Sequence, residues 1–150
     1  MHLDHYLFTM TSKTDRKTDY EFTSIGPKGE IKKTVRFMRI SHNFYNLSFG
    51  EIDKRTNGIV DNVNSGNNDH EMILTTVAAV VESFTIDRPD SFIYVEGSTP
   101  SRTRLYRICI TKYLSDITNQ FKIFGYQNNE WQNFTQNQAY NAFLGIRNLS

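Results

Sequence analysis

The chain has 150 residues, a formal net charge of +1, and 38% hydrophobic and 13% aromatic residues. That length and apolar share suffice for one core without staples, and the near-neutral balance implies neither strong disorder nor a strongly polyelectrolyte partner, although it can hide a local basic face. The one cysteine, Cys109, has no partner for an internal disulfide, and no apolar run reaches the roughly 20 residues that span a bilayer. With no signal-peptide layout at Met1–Thr9, these features predict a single soluble cytoplasmic domain over 1–150, without membrane contact.

In chain order, Tyr6–Met10 reads as a short strand and Thr11–Thr18 as a polar loop. Tyr20–Ile25 alternates, with Tyr20, Phe22 and Ser24 on one side and Glu21, Thr23 and Ile25 on the other. Gly26-Pro27-Lys28-Gly29 is a turn, because proline sets φ and glycine admits positive φ. Ile31–Ile40 forms the second arm of a hairpin, with Ile31, Val35 and Phe37 on one face and Lys32, Thr34 and Arg36 on the other. Phe44–Ile52 and Ile59–Val63 follow as strands around a Thr56-Asn57-Gly58 turn.

The period then changes. Ile73, Val77, Val80 and Phe84 recur at helical spacing, with Asn68 or Asp69 as the cap and Glu71 as the reciprocal residue of a capping box. Asp87-Arg88-Pro89-Asp90 ends that helix. Phe92–Val95 is short and apolar enough for a central strand. Gly97-Ser98-Thr99-Pro100 opens a second helix that runs to about Asp116. Phe121–Tyr126 and Glu130–Phe134 form a hairpin, and Gln138–Ile146 a short closing helix. The expected class is α+β: an antiparallel β-rich N-terminal half of about four strands, then α-β-α, a C-terminal β-hairpin and a short final helix.

The segment with the most chemistry is Glu96–Arg107. Gly97 admits close approach, Ser98, Thr99 and Ser101 carry hydroxyls, and Arg102, Arg104 and Arg107 fall in the first two helical turns. Unpaired N–H groups at a helix start favour anions, whereas cations there run against the dipole. A bound phosphate would compensate the arginines, and so would the chain's own Glu96, Asp87 or Asp90. The spacing matches neither a P-loop nor a dinucleotide fingerprint, and Ser98 is not in a G-x-S-x-G elbow. A second basic feature is the first hairpin, where Lys28, Lys32, Lys33, Arg36 and Arg39 are interleaved with aromatics. Such a face suits single-stranded nucleic acid, and a solvated charged face gives the same pattern. His2, His5, His42 and His70 lack metal-ligand spacing, so neither metal nor cofactor is expected. Cys109, in an apolar run, reads as a core residue.

Gly26-Pro27-Lys28-Gly29 with Lys32 and Phe37, then Asn46-Leu47-Ser48-Phe49-Gly50, then Gly97-Ser98-Thr99 with Arg102-Thr103-Arg104-Leu105-Tyr106 form an ordered series. Together they resemble a family of small uncharacterised proteins found mainly in Bacteroidota, over most of the chain. That resemblance implies no activity and supplies no catalytic residues. The β-rich half followed by a helix also resembles, as a fold, Whirly-type single-strand DNA-binding regulators, although the second half departs from a ββββα repeat.

The leading expectation is a non-enzymatic domain that binds a phosphate-bearing ligand, foremost nucleic acid. Its contacts would be Gly97, Ser98, Thr99, Arg102, Arg104, Tyr106 and Arg107, extended by Lys32 and Arg36. One alternative is a metal-independent ribonuclease-like toxin, with Arg102 and Tyr106 stabilising phosphoryl transfer. The other is a homodimeric structural or protein-interaction module.

Overall fold

The computed structural model describes residues 3–60 and 66–148. Five strands come first: β1 (Phe8–Lys13), β2 (Lys17–Gly26), β3 (Gly29–Ser41), β4 (Phe44–Ile52) and the two-residue β5 (Ile59–Val60). Then come α1 (His70–Ile86), β6 (Phe92–Val95), α2 (Pro100–Lys112), α3 (Leu114–Thr118), β7 (Phe121–Gln127), β8 (Glu130–Asn133) and β9 (Ala142–Arg147). All nine strands join one sheet in the order β1-β2-β3-β4-β6-β9-β7-β8, with β5 on β4. Every pairing is antiparallel except β4 with β6, whose parallel alignment requires the crossover that α1 supplies. The mixed α and β content and the strand-rich first half agree with the expected class. The sheet is larger than expected.

Alternation in β2, β3 and β4 places Tyr20, Phe22, Val35, Phe37, Leu47 and Phe49 on one face, all buried. The predicted stripe of α1 (Ile73, Val77, Val80, Phe84) packs onto that face. The Phe84 and Phe37 rings stack 3.9 Å apart, and Tyr45 meets Phe84 edge-on at 5.0 Å. The second helix covers the same face, with the Tyr106 ring 5.3 Å from Phe49.

Several expectations fail locally. Thr11–Thr18 is mostly strand, because its polar residues run from the exposed edge strand β1 into its neighbour β2 and only Thr14–Arg16 turn the chain. Of the expected strand Ile59–Val63, Ile59 and Val60 pair with Ile52 and Glu51, and the remainder lies outside the described residues. The second helix stops at Lys112, and α3 follows as a separate turn with Ile117 buried. The closing helix over Gln138–Ile146 does not form. Ala142–Arg147 instead fills the sheet between β6 and β7, pairing Ile93 with Gly145 and Phe124 with Leu144. Two flanking strands satisfy its backbone groups on both sides, which outweighs the local i, i+3, i+4 spacing of Tyr140, Phe143 and Leu144.

The capping box is also absent. Asp69 precedes α1 but makes no side-chain cap bond. Its carboxylate accepts from Ser24 Oγ at 2.5 Å and from Tyr6 Oη at 2.7 Å, which ties the N-terminal segment and β2 to the start of the helix. Glu71 turns away to Lys112 and Tyr113.

Candidate functional site

The central strand β6 delivers the chain into a tight turn before α2. Thr99 caps that helix, its side chain accepting from Arg102 N at 3.3 Å, and Pro100 occupies the first helical position. Gly97 N donates to Thr103 Oγ1 at 3.0 Å, and Thr103 Oγ1 in turn donates to Thr99 O at 3.2 Å. A Cβ on Gly97 would sit 2.5 Å from Thr103 N, so the turn folds against α2 only because residue 97 has no side chain.

The arginines diverge from this turn. Arg102 donates from Nη1 to Ser98 Oγ at 2.6 Å, bracing the turn. Arg104 is exposed and Arg107 half-buried. Both line a groove of about 370 Å³ with Gly97, Ser98, Thr99 and Thr103, whose opposite wall is Ala139, Tyr140 and Asn141. The groove continues along α2 past Arg104, Arg107, Thr111 and Lys112, facing Asn137 and Gln138, through a further 650 Å³. Among the described residues no ion pair involves Arg102, Arg104 or Arg107. No acidic residue occurs between Gly97 and Ser115, so α2 has no internal counter-charge. Among the described residues, Glu96 is the carboxylate at the rim. It sits by the Tyr94 hydroxyl, whose pKa is raised by burial first and by Glu96 second.

The far wall is held by Tyr140. Its ring lies against Gly125, where a Cβ would collide with it, and its hydroxyl accepts from Thr135 N at 3.0 Å and donates to Asn133 O at 3.3 Å. Asn137 adopts a left-handed φ of 64°, a conformation that asparagine tolerates. Sequence reasoning missed this wall because it assigned Gln138–Ile146 to a helix. The one signal for an irregular loop was the run Thr135-Gln136-Asn137-Gln138, rich in residues that compete for backbone hydrogen bonds.

The remaining candidates lie elsewhere. Tyr106 is buried against Phe49 and does not line the groove. Lys32 and Arg36 project from the opposite face of the sheet to α2. There Lys32 Nζ lies 3.6 Å from Glu21, and Arg36 grips Asp19 through two bonds of 2.9 and 3.0 Å while donating to Asn57 O. Lys33 is on the core face, almost wholly buried, with Glu51 at 3.5 Å. The basic hairpin is thus divided between two faces, with these three cations facing carboxylates of the chain itself. Burial pushes the Cys109 thiol up to about 12, which suits a lining residue and not a nucleophile.

Among the described residues no helix is long and apolar enough to cross a membrane, and no three His, Cys, Asp or Glu side chains converge as metal ligands. No curated protein and no solved structure matches the chain. A family model described as a family of unknown function, DUF6934, matches residues 2–148, and the chain belongs to that family.

Proposed function

We propose that the chain binds a phosphate-bearing ligand in the groove between α2 and the loop 137–141, with nucleic acid as the ligand. One observation carries this reading: Arg104 and Arg107 face the same groove from the first two turns of a helix that has no acidic residue, and neither has an ion-pair partner among the described residues. Two neighbouring cations repel each other, and an anion seated between them relieves that repulsion. The amide side chains of Asn137, Gln138 and Asn141 add donors along the groove. Its length past two successive arginines suits a phosphodiester backbone. Tyr106, which a ribonuclease-like reading would use, is buried beneath the helix, so binding without catalysis is preferred.

The test is fluorescence anisotropy with labelled single-stranded DNA and RNA at two salt concentrations, on wild type, Arg104→Ala and Arg107→Ala. Each variant should weaken binding and lower the salt slope by about 0.7, the contribution of one phosphate contact on a single strand. Absence of salt-dependent binding by the wild type, or variants that bind as well as it does, would overturn the reading.

A further inference from the structure

The helices do not close fully over the sheet. Between α1 and α2 the core holds a cavity of about 140 Å³, floored by residues such as Ile93 and Phe143. Its walls include Ala78 and Val81 from α1 and Cys109 and Ile110 from α2. Among the described residues that line it, only Tyr106 and Cys109 carry a polar side-chain atom, and none is charged. The space opens between the helices, and water in it finds few polar partners, so an apolar guest displaces it readily. A guest of matching size also makes contacts with the apolar walls that water makes poorly.

We propose that this cavity is a binding site for a small apolar molecule, a monocyclic or branched hydrocarbon group of about benzene's size. Volume sets the class: a cavity of about 150 Å³ lined by aliphatic and aromatic side chains takes up benzene, whereas a long acyl chain would not fit in 140 Å³. The lining sets the polarity, because a charged or strongly hydrogen-bonding guest would lose its solvation without replacement. Entry lies between the helices, where Ala78, Val81, Cys109 and Ile110 are all only half-buried. The site is distinct from the arginine groove. Tyr106, Cys109 and Ile110 face the cavity, while Arg104, Arg107 and Thr111 face the groove on another side of α2.

Two readouts with benzene as the probe test the proposal. Benzene near ten times its dissociation constant should raise the Tm of the wild-type chain by about 3–6 °C. It should also slow mixed-disulfide formation at Cys109 by methyl methanethiosulfonate, which releases methanesulfinate, about tenfold, since only the empty fraction reacts. In Ala78→Leu, which fills the space from the α1 wall, the benzene-induced shift should vanish. Failure of benzene to shift the Tm or to protect Cys109 in the wild type would overturn the proposal. An undiminished shift in a folded Ala78→Leu variant would do so too, since the guest would then be elsewhere. If Ala78→Leu does not fold, protection of Cys109 in the wild type decides by itself.

Discussion

Gly97 and Thr103 are locked together at the entry to α2: the Gly97 amide donates to Thr103 Oγ1 at 3.0 Å, and a Cβ on Gly97 would lie 2.5 Å from the Thr103 amide nitrogen. Backbone, and not a flexible side-chain tip, occupies that space. The Gly97→Ala variant must therefore move the turn away from the helix, at a cost of about 1–3 kcal/mol in unfolding free energy. Urea titration should show the loss. Because the same turn carries Ser98 and Thr99, the proposed nucleic-acid binding should weaken together with stability.

Arginines on the two faces of the sheet should behave oppositely when truncated. Arg36 is paired with Asp19 where both side chains are about nine-tenths buried. Arg36→Ala leaves a buried carboxylate without its cation and should cost about 3–5 kcal/mol. Arg104→Ala removes an exposed cation with no ion pair and should change stability by less than about 0.5 kcal/mol. Thermal and urea unfolding of the two variants separate the roles, and equal losses would contradict this division.

Glu71 joins the first turn of α1 to the last turn of α2 and the residue after it. Its carboxylate accepts from Tyr113 Oη at 2.5 Å and pairs with Lys112. The Lys112 bond first, then that from Tyr113, lowers the Glu71 pKa from 4.5, while the same contact with Glu71 raises that of Lys112 from 10.5. For the acid, the stabilisation is present above its unfolded value and is lost as pH falls through the lower folded value. For the lysine, it is present below the unfolded value and is lost as pH rises through the higher folded one. The tie therefore acts between about pH 5 and 10. In Glu71→Gln the decline of stability below pH 5 should be shallower than in wild type, as followed by urea midpoints from pH 3 to 7. Identical profiles would count against the tie.

Cys109 offers a chemical check on packing. With its thiol raised to about 12, its thiolate is scarce at pH 8, and reaction with Ellman's reagent should be slower than in unfolded chain by more than about a hundredfold. Rapid reaction of the native protein would mean that α2 is not seated as described.

The first half was legible because one sheet face carries the apolar side chains and the other the polar ones. Alternation in Tyr20–Ile25, Ile31–Ile40 and Phe44–Ile52 can be read residue by residue, and a shift of one position would invert every side chain. The bounds of β6 and the end of α1 at Asp87-Arg88-Pro89 were equally clear, since proline and a short apolar run leave few options. The candidate groove was half legible. Gly97, Ser98, Thr99, Arg104 and Arg107 stand in one segment, whereas Asn137, Gln138 and Asn141 reach it from a part of the chain assigned to a helix.

Local chemistry determines turns, caps and the two periodicities, because each rests on neighbours within a few residues. The partner of each charge depends on distant strands. Arg36 and Arg104 look alike as basic residues beside aromatics, yet strand register sets Asp19 directly across from Arg36, and among the described residues Arg104 has no ion pair. The fate of Ala142–Arg147 was decided in the same way. The segment has helical spacing, but β6 and β7 each had an edge to pair, and long-range hydrogen bonding on both sides outweighs a short segment's own preference.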